Sequence, residues 1–147
     1  MLTSEAFDVV LNNELKRAVR SQTFLTLVHV EPTMRDLPNG GNGERDRAVH
    51  EIARLVSREV RETDLLSMTR TGRLSLVLLD ADMTNALTVI ERLMSRLDHY
   101  EFQNPLAIEV GAACCPTHGA DVESLRRSAE ARPVHPRRDA RGNASNA

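Results

Sequence analysis

The sequence predicts an α+β sandwich, in which helices cover one mostly antiparallel sheet with a central hairpin. Segments with helical periodicity alternate with short apolar strands, in the order helix, strand, helix, hairpin, helix, strand, helix. The chain has 147 residues, which suits one compact domain around a single core. Because 41% of the residues are hydrophobic and only 3% are aromatic, aliphatic side chains must build that core.

The first half of the chain supplies two helices and one strand. Apolar residues recur at helical spacing over residues 4–21, behind the candidate N-cap Ser4, and predict an amphipathic helix. The apolar segment TFLTLVHVE, residues 23–31, predicts a buried strand. The Pro-, Gly- and Asn-rich segment 32–43 predicts an irregular connection, and a second amphipathic helix follows it to about Glu62.

A hairpin is predicted in the middle of the chain. The apolar segments 64–69 and 74–79 flank a short polar connection, residues 70–73, in which Gly72 can take the positive φ that a tight turn needs. Both strands are apolar enough to be expected in the centre of the sheet rather than at its edge. The two arginines of the connection are expected to be solvated, or to contact a phosphate group or an acidic partner.

The last third of the chain is expected to complete the folded domain and to end in a flexible tail. Periodicity predicts a third helix over residues 85–100, a strand over 105–116 and a short helix near 122–132. Residues 133–147 contain two prolines, three arginines and few apolar side chains, so they are expected to form a flexible basic tail. The folded domain is thus expected to span residues 1–132.

The composition excludes several classes of function. The formal net charge is -2, from 19 basic and 21 acidic residues, so no global field attracts nucleic acid or an anionic membrane. No apolar run is long enough to cross a bilayer, and the N-terminus lacks the pattern of a signal peptide, so a cytoplasmic location is expected. The two cysteines are neighbours, Cys114 and Cys115, which gives neither a disulfide nor a zinc pattern.

Three segments stand at the spacing of one known family. They are LNNELKRAVRSQTFLTLVHVE (11–31), RETDLLSMT (61–69) directly before the hairpin connection, and IEVGAACCP (108–116). In this register the chain resembles the GGDEF domain of diguanylate cyclases, from Leu11 to about Arg132. The resemblance implies the GGDEF and nucleotidyl-cyclase-like sandwich as the fold, and a place in cyclic di-GMP signalling.

The residues that carry catalysis in the family are substituted in this chain. The signature Gly-Gly-Asp-Glu-Phe falls on Arg70, Thr71, Gly72, Arg73 and Leu74. In the family, carboxylates of the first strand and of the signature hold two metal ions that join two GTP molecules. Here His29 and Glu31 take the strand positions, and the hairpin offers a glycine and an arginine, whose cation opposes a divalent metal ion.

Two further positions of the family are also replaced. Leu37 and Pro38 stand where the family reads guanine through an Asn and an Asp. His29 is expected to be a buried strand residue rather than a metal ligand, since no second His or Cys lies near it in this register. The resemblance therefore implies a degenerate domain that is not an enzyme, with no catalytic residue, no metal site and no cofactor.

A second site of the family keeps its spacing. Arg61 and Asp64 form an Arg-x-x-Asp motif that ends five residues before the signature, where the family has an inhibitory site for cyclic di-GMP. The family adds an arginine from the next helix, and Arg92 stands at that point, with Arg96 one turn further on. The resemblance implies that Arg61 donates to guanine O6 and N7 or to phosphate, while Asp64 accepts from N1 and N2. Arg61, Arg92 and Arg96 together would hold the two phosphates of cyclic di-GMP.

Three functions stay open at this point. The first is a catalytically inactive receptor or adaptor, in which bound cyclic di-GMP alters the contact with another signalling protein or with a second copy of the chain. The second is a ligand-free scaffold or dimerisation module, and the third is a GTP-binding regulatory module. An exposed patch shared by Arg61, Asp64 and Arg92 would favour the receptor over the scaffold.

Overall fold

The fold comes from a computed structural model that describes residues 1–34, 42–69, 72–102 and 106–139. Its helices are α1 (Ser4–Ser21), α2 (Asn42–Glu59), α3 (Met83–Asp98) and α4 (Val122–Ala131). Its strands are β1 (Leu25–Met34), β2 (Leu65–Met68), β3 (Leu74–Leu79), β4 (Leu106–Cys115) and β5 (Pro133–Asp139). No helix in these ranges is long and apolar enough to cross a membrane.

The strands form an antiparallel sheet in the order β2-β3-β1-β4-β5. β1 lies at its centre, where Leu27 is paired with Val77 of β3 and with Ala113 of β4. The helices α2 and α3 cover one face, and α1 and α4 cover the other. This arrangement confirms the predicted α+β sandwich and the predicted order of elements up to α4.

Alternation along β1 decides which face each of its side chains occupies. Val28 and Val30 belong to the core under α2 and α3, whereas Leu25 and Leu27 belong to the core under α1 and α4. His29 has the parity of Leu27, and it lines a cleft together with residues of α4. The strand position that carries a metal ligand in the GGDEF family is thereby turned toward α4.

The N-cap of α1 and the C-terminus of α2 differ from the predicted ones, and α3 spans Met83–Asp98 where residues 85–100 were predicted. α1 is capped by Thr3 rather than by Ser4, because the Thr3 hydroxyl accepts from Ala6 N at 3.1 Å. α2 ends at Glu59, before the predicted end, because a tight turn follows it in which Asp64 N donates to Arg61 O at 3.0 Å.

β2 is an edge strand, although the sequence predicts both hairpin strands to be central. The N-terminus covers its outer edge: Leu2 N donates to Leu66 O at 2.9 Å, and the Ser67 hydroxyl donates to Leu2 O at 2.9 Å. Leu66 and Ser67 are therefore buried. An edge strand that is covered in this way needs the apolar composition of a central one.

The predicted tail is paired with the sheet in its first part. Pro133–Asp139 forms β5, an antiparallel partner of β4 with a register shift on each side of Val110. The expectation that a flexible tail begins at residue 133 is therefore wrong. Edge pairing uses backbone N–H and C=O groups, which apolar periodicity does not report, and an edge strand tolerates proline. Residues 140–147 lie outside the described residues.

Candidate functional site

Hydrogen bonds between the strand ends close the hairpin around Gly72. Thr69 N donates to Arg73 O at 2.8 Å, Gly72 N donates to Thr69 O at 3.1 Å, and Arg73 N donates to the Thr69 hydroxyl at 3.1 Å. Gly72 has a φ of 84°, the positive value predicted for this turn. Four substituted positions of the family lie outside the described residues: Leu37, Pro38, Arg70 and Thr71.

Arg73 joins the hairpin tip to the first strand and to α4. Its Nη1 lies 2.8 Å from Oε2 of Glu130, and its Nε lies 3.5 Å from Oε1 of Glu31. The hydrogen bond from Arg73 is the main cause that holds the pKa of the Glu130 carboxyl below its usual value. Glu31, Arg73 and Glu130 are called the Arg73 clamp below.

A second guanidinium reaches the clamp from α2. Arg45 Nη2 lies 3.9 Å from Oε2 of Glu31 and donates to Gly72 O at 3.5 Å, and Arg45 Nη1 donates to Pro32 O. Glu31, the strand carboxylate that stands at a metal-binding position of the family, is thus shared by two arginines of the protein itself.

His29 is a buried side chain beside the clamp, as the sequence predicts. It is 5% exposed, and its Nδ1 lies 3.2 Å from the Ser75 hydroxyl. Its Nε2 has no hydrogen-bond partner among the residues that the structure describes. Burial, together with the charge of Arg73, lowers the pKa of His29 to about 4, so the ring is uncharged near neutral pH.

The metal ions of the family do not fit this set of side chains. Mg²⁺ takes oxygen ligands in near-octahedral geometry. The clamp offers a strand carboxylate already paired with two guanidiniums, next to a neutral imidazole. Within the described ranges, no group of three or more His, Cys, Asp or Glu side chains could hold a metal ion. The arrangement is suited to fixing the hairpin rather than to metal-assisted chemistry.

The structure brings three of the predicted ligand residues to one open pocket, between the C-terminus of α2, the end of β3 and α3. They are Arg61, Asp64 and Arg92. The rest of the lining consists of Glu59, Val60, Leu78, Asp80, Ala81, Asn85 and Val89. This cavity is called the arginine pocket below. Two guanidiniums at one opening can hold an anionic ligand.

Asp64 is the buried anchor of the arginine pocket. Its side chain is 3% exposed, its Oδ2 accepts from Arg61 N at 3.1 Å, and its Oδ1 accepts from Leu79 N at 3.2 Å. The Arg61 side chain is 63% exposed, and its Nη2 donates to Leu79 O at 2.6 Å and lies 3.4 Å from Asp64 Oδ1. Asp64 thus fixes the turn after α2 against β3 and orients the Arg61 guanidinium at the surface.

Glu59, which sequence reasoning did not single out, pairs with both predicted arginines of α3. Its Oε1 lies 3.5 Å from Arg92 Nε, and its Oε2 lies 2.8 Å from Arg96 Nε. Arg92 Nη2 also donates to Glu59 O at 3.3 Å. Arg96, the fourth predicted ligand residue, does not line the pocket, and its link to it is the ion pair with Glu59. A signal was present in the sequence, since a carboxylate at the C-terminus of a helix opposes the helix dipole unless a cation compensates it.

Solved structures match this fold over most of its length. The FimX GGDEF domain from Pseudomonas aeruginosa has a TM-score of 0.76 at 14% identity, and the match covers 89% of this chain and 85% of that one. The active GGEEF domain of a diguanylate cyclase from Vibrio cholerae has a TM-score of 0.74 at 12% identity, with coverages of 86% and 85%. The coiled coil and GGDEF domain of DgcB from Caulobacter crescentus, solved in complex with cyclic di-GMP, has a TM-score of 0.71 at 13% identity, with coverages of 89% and 73%.

These matches define the class of the protein as an α+β domain with the GGDEF fold. The resemblance to GGDEF domains that the sequence predicts is therefore confirmed. No protein-family model matches the chain, and no curated protein matches it.

Proposed function

We propose that this chain is a catalytically inactive GGDEF domain that acts in cyclic di-GMP signalling as a receptor and binds cyclic di-GMP at the arginine pocket. Bound ligand would alter its contact with another signalling protein or with a second copy of the chain. One observation carries the proposal: Arg61, Asp64 and Arg92 line the same open pocket. The cyclic di-GMP in the DgcB complex supports this class of ligand for the fold.

The donors and acceptors of the pocket suit a guanine base. A guanidinium has five N–H donors in a planar fork, and Arg61 uses Nη2 for its contacts with described residues. Its remaining N–H groups are at the surface, where they can donate to O6 and N7 of guanine or to phosphate. Asp64 Oδ1 accepts from Leu79 N and Arg61 Nη2, whereas Oδ2 accepts from Arg61 N and keeps a lone pair that can accept from N1 or N2. Arg92 would then hold a phosphate.

The Arg73 clamp supports the catalytic part of the proposal. Incubated with GTP and Mg²⁺ or Mn²⁺, the protein is expected to make no cyclic di-GMP, because the guanidinium of Arg73 lies against the carboxylate that would have to hold a metal ion. Product is measured by chromatography, with an active cyclase assayed in parallel. The combined change Gly72→Asp and Arg73→Glu is expected to give no product either, since His29 would still stand in place of a carboxylate and Leu37 and Pro38 in place of the guanine-reading residues. Product above the no-protein control would overturn the claim.

The receptor part predicts a loss of affinity in Arg61→Ala. This change removes charge-assisted hydrogen bonds worth about 1.5 to 3 kcal/mol, so calorimetric titration is expected to show cyclic di-GMP binding weakened by roughly tenfold to a hundredfold. Arg58→Ala is the matched control, because Arg58 is an exposed arginine of the last turn of α2 and does not line the pocket. It is expected to bind as the wild type does.

Calorimetric titration with other nucleotides tests the selectivity of the pocket for cyclic di-GMP. Cyclic di-AMP is expected to bind poorly, because adenine offers an amino donor where guanine has the O6 acceptor. GTP is also expected to bind poorly, and tight GTP binding would favour the regulatory module instead. If the wild type binds cyclic di-GMP and Arg61→Ala binds it equally well, the ligand lies elsewhere, and the hairpin arginines become the next candidates.

A ligand-free scaffold is the second candidate, and the burial of Asp64 favours it. The contacts of Asp64 with Arg61 N and Leu79 N explain this residue as a turn-fixing group without any ligand. If the wild type gives no heat with cyclic di-GMP at high micromolar concentration, the scaffold takes the place of the receptor. Sedimentation equilibrium would then show whether copies of the chain associate.

A further inference from the structure

Glu59 forms ion pairs with Arg92 and Arg96, the arginines that an anionic ligand would need. Its carboxylate accepts from Arg92 with one oxygen and from Arg96 with the other, at 3.5 and 2.8 Å. The Glu59 side chain is 12% exposed, whereas those of Arg92 and Arg96 are 57% and 67% exposed. A carboxylate at the last residue of α2 opposes the dipole of its own helix, and the two arginines of α3 compensate it.

The charges that line the arginine pocket do not favour an anion as they stand. Three carboxylates, those of Glu59, Asp64 and Asp80, face two guanidiniums, those of Arg61 and Arg92, which gives a formal net charge of -1. Arg96, which is paired with Glu59, brings this sum only to zero, so the site offers two phosphate groups no net attraction while Glu59 holds the arginines. Asp64 is held by backbone N–H groups, so Glu59 is the carboxylate whose release frees arginine donors.

We propose that Glu59 is a built-in counter-anion of the arginine pocket, which competes with the phosphate groups of the ligand for Arg92 and Arg96 and so sets the affinity. This inference rests on the proposed function for the identity of the ligand, but the competition itself applies to any phosphate-bearing anion. When phosphate binds, the Glu59 carboxylate exchanges its two guanidinium contacts for water, and the phosphate oxygens accept from the same N–H groups.

Glu59→Gln tests the counter-anion role with little change of shape. The variant removes the negative charge and keeps the backbone carbonyl that accepts from Arg92 Nη2. By isothermal calorimetry, it is expected to bind both pyrophosphate and cyclic di-GMP on the order of tenfold more tightly than the wild type. A merely structural role would act in the opposite direction, because looser arginines would bind less well.

Asp80→Asn is the matched control. Asp80 lines the same pocket and is exposed, and no arginine of the described ranges is paired with it. Its φ of 56° is in the left-handed region, which asparagine tolerates well, so the backbone is preserved. Asp80→Asn removes the same unit charge from an exposed position that solvent screens, so it is expected to raise either affinity much less than Glu59→Gln does. An equal gain in both variants would mean that net charge alone acts, and would overturn the specific role of Glu59.

A chemical readout separates this inference from the proposed function. Phenylglyoxal modifies accessible guanidiniums, and peptide mapping by mass spectrometry is expected to show faster modification of Arg92 and Arg96 in Glu59→Gln than in the wild type. Tighter pyrophosphate binding without any cyclic di-GMP binding would leave the role of Glu59 intact and end the receptor proposal. Unchanged modification rates together with unchanged pyrophosphate affinity would overturn the counter-anion role.

Discussion

Gly111→Ala is expected to lower the free energy of unfolding by about 3 kcal/mol. A Cβ atom at Gly111 would lie 2.2 Å from the carbonyl oxygen of Ala129 in α4, which is far inside van der Waals contact. The obstacle is backbone and cannot rotate away, and α4 is tied to β4 at this point because Ala112 N donates to Arg132 O at 3.2 Å. Either the sheet or the helix has to move.

Urea unfolding measures this loss, and Gly43→Ala is its control. Gly43 lies in the first turn of α2, and a Cβ there would meet nothing within 4 Å. Alanine is the better helix former, so this variant is expected to be as stable as the wild type or more stable by up to about 1 kcal/mol. If Gly111→Ala and Gly43→Ala unfolded at the same urea concentration, the close approach of α4 to β4 would be contradicted.

Acid is expected to destabilise the protein through His29, by about 2 kcal/mol between about pH 7 and pH 5. The folded state holds the pKa of His29 at about 4, below the ordinary value of 6.5 that the unfolded chain restores. As the pH falls below 6.5, His29 becomes protonated in the unfolded chain but stays neutral in the folded protein. The stability that His29 contributes is therefore fully present above pH 6.5 and is lost as the pH falls toward 4. The cause is burial first and the charge of Arg73 second.

The pH dependence of His29→Asn tests this account. The variant keeps a polar group near the Ser75 hydroxyl and does not titrate, so its unfolding free energy, measured in urea at several pH values, is expected to fall less between about pH 7 and pH 5 than that of the wild type. His50→Gln is the control, because His50 is exposed on α2 and bonds only the Asp46 carbonyl among the described residues. Parallel pH curves for the wild type and His29→Asn would show that His29 is not the cause.

The elements that bury a continuous apolar face could be predicted from the sequence. Phe7, Leu11, Leu15 and Ala18 recur at helical spacing in α1, and all four are buried. β5 could not be found in this way, because its place is set by backbone pairing with β4 rather than by side-chain periodicity. The edge position of β2 was missed for a related reason: Leu2, which lies 65 residues before Ser67 in the sequence, covers this edge.

The part of the candidate site that depends on residues close together in sequence could be predicted, and the part that depends on distant residues could not. The Arg-x-x-Asp spacing placed Arg61 and Asp64 in one pocket, but it could not show that Asp64 is buried against Leu79 N, since that contact depends on the docking of β3. The Arg73 clamp could not be predicted from the sequence. Glu130 lies 57 residues further along the chain and contacts Arg73 only because α4 packs near β4 in the fold. The sequence indicated Glu59 only as a carboxylate near the C-terminus of a helix, where the helix dipole disfavours a negative charge.

The Arg73 clamp has a consequence for how this domain can change over evolutionary time. Arg73→Glu alone would leave three carboxylates around one point, whereas loss of Glu31 or Glu130 alone would leave a guanidinium that is 24% exposed with fewer acidic partners. The effect of each substitution therefore depends on the residues at the other two positions. A single acidic substitution at position 73 is therefore expected to lower stability unless Glu31 or Glu130 changes with it.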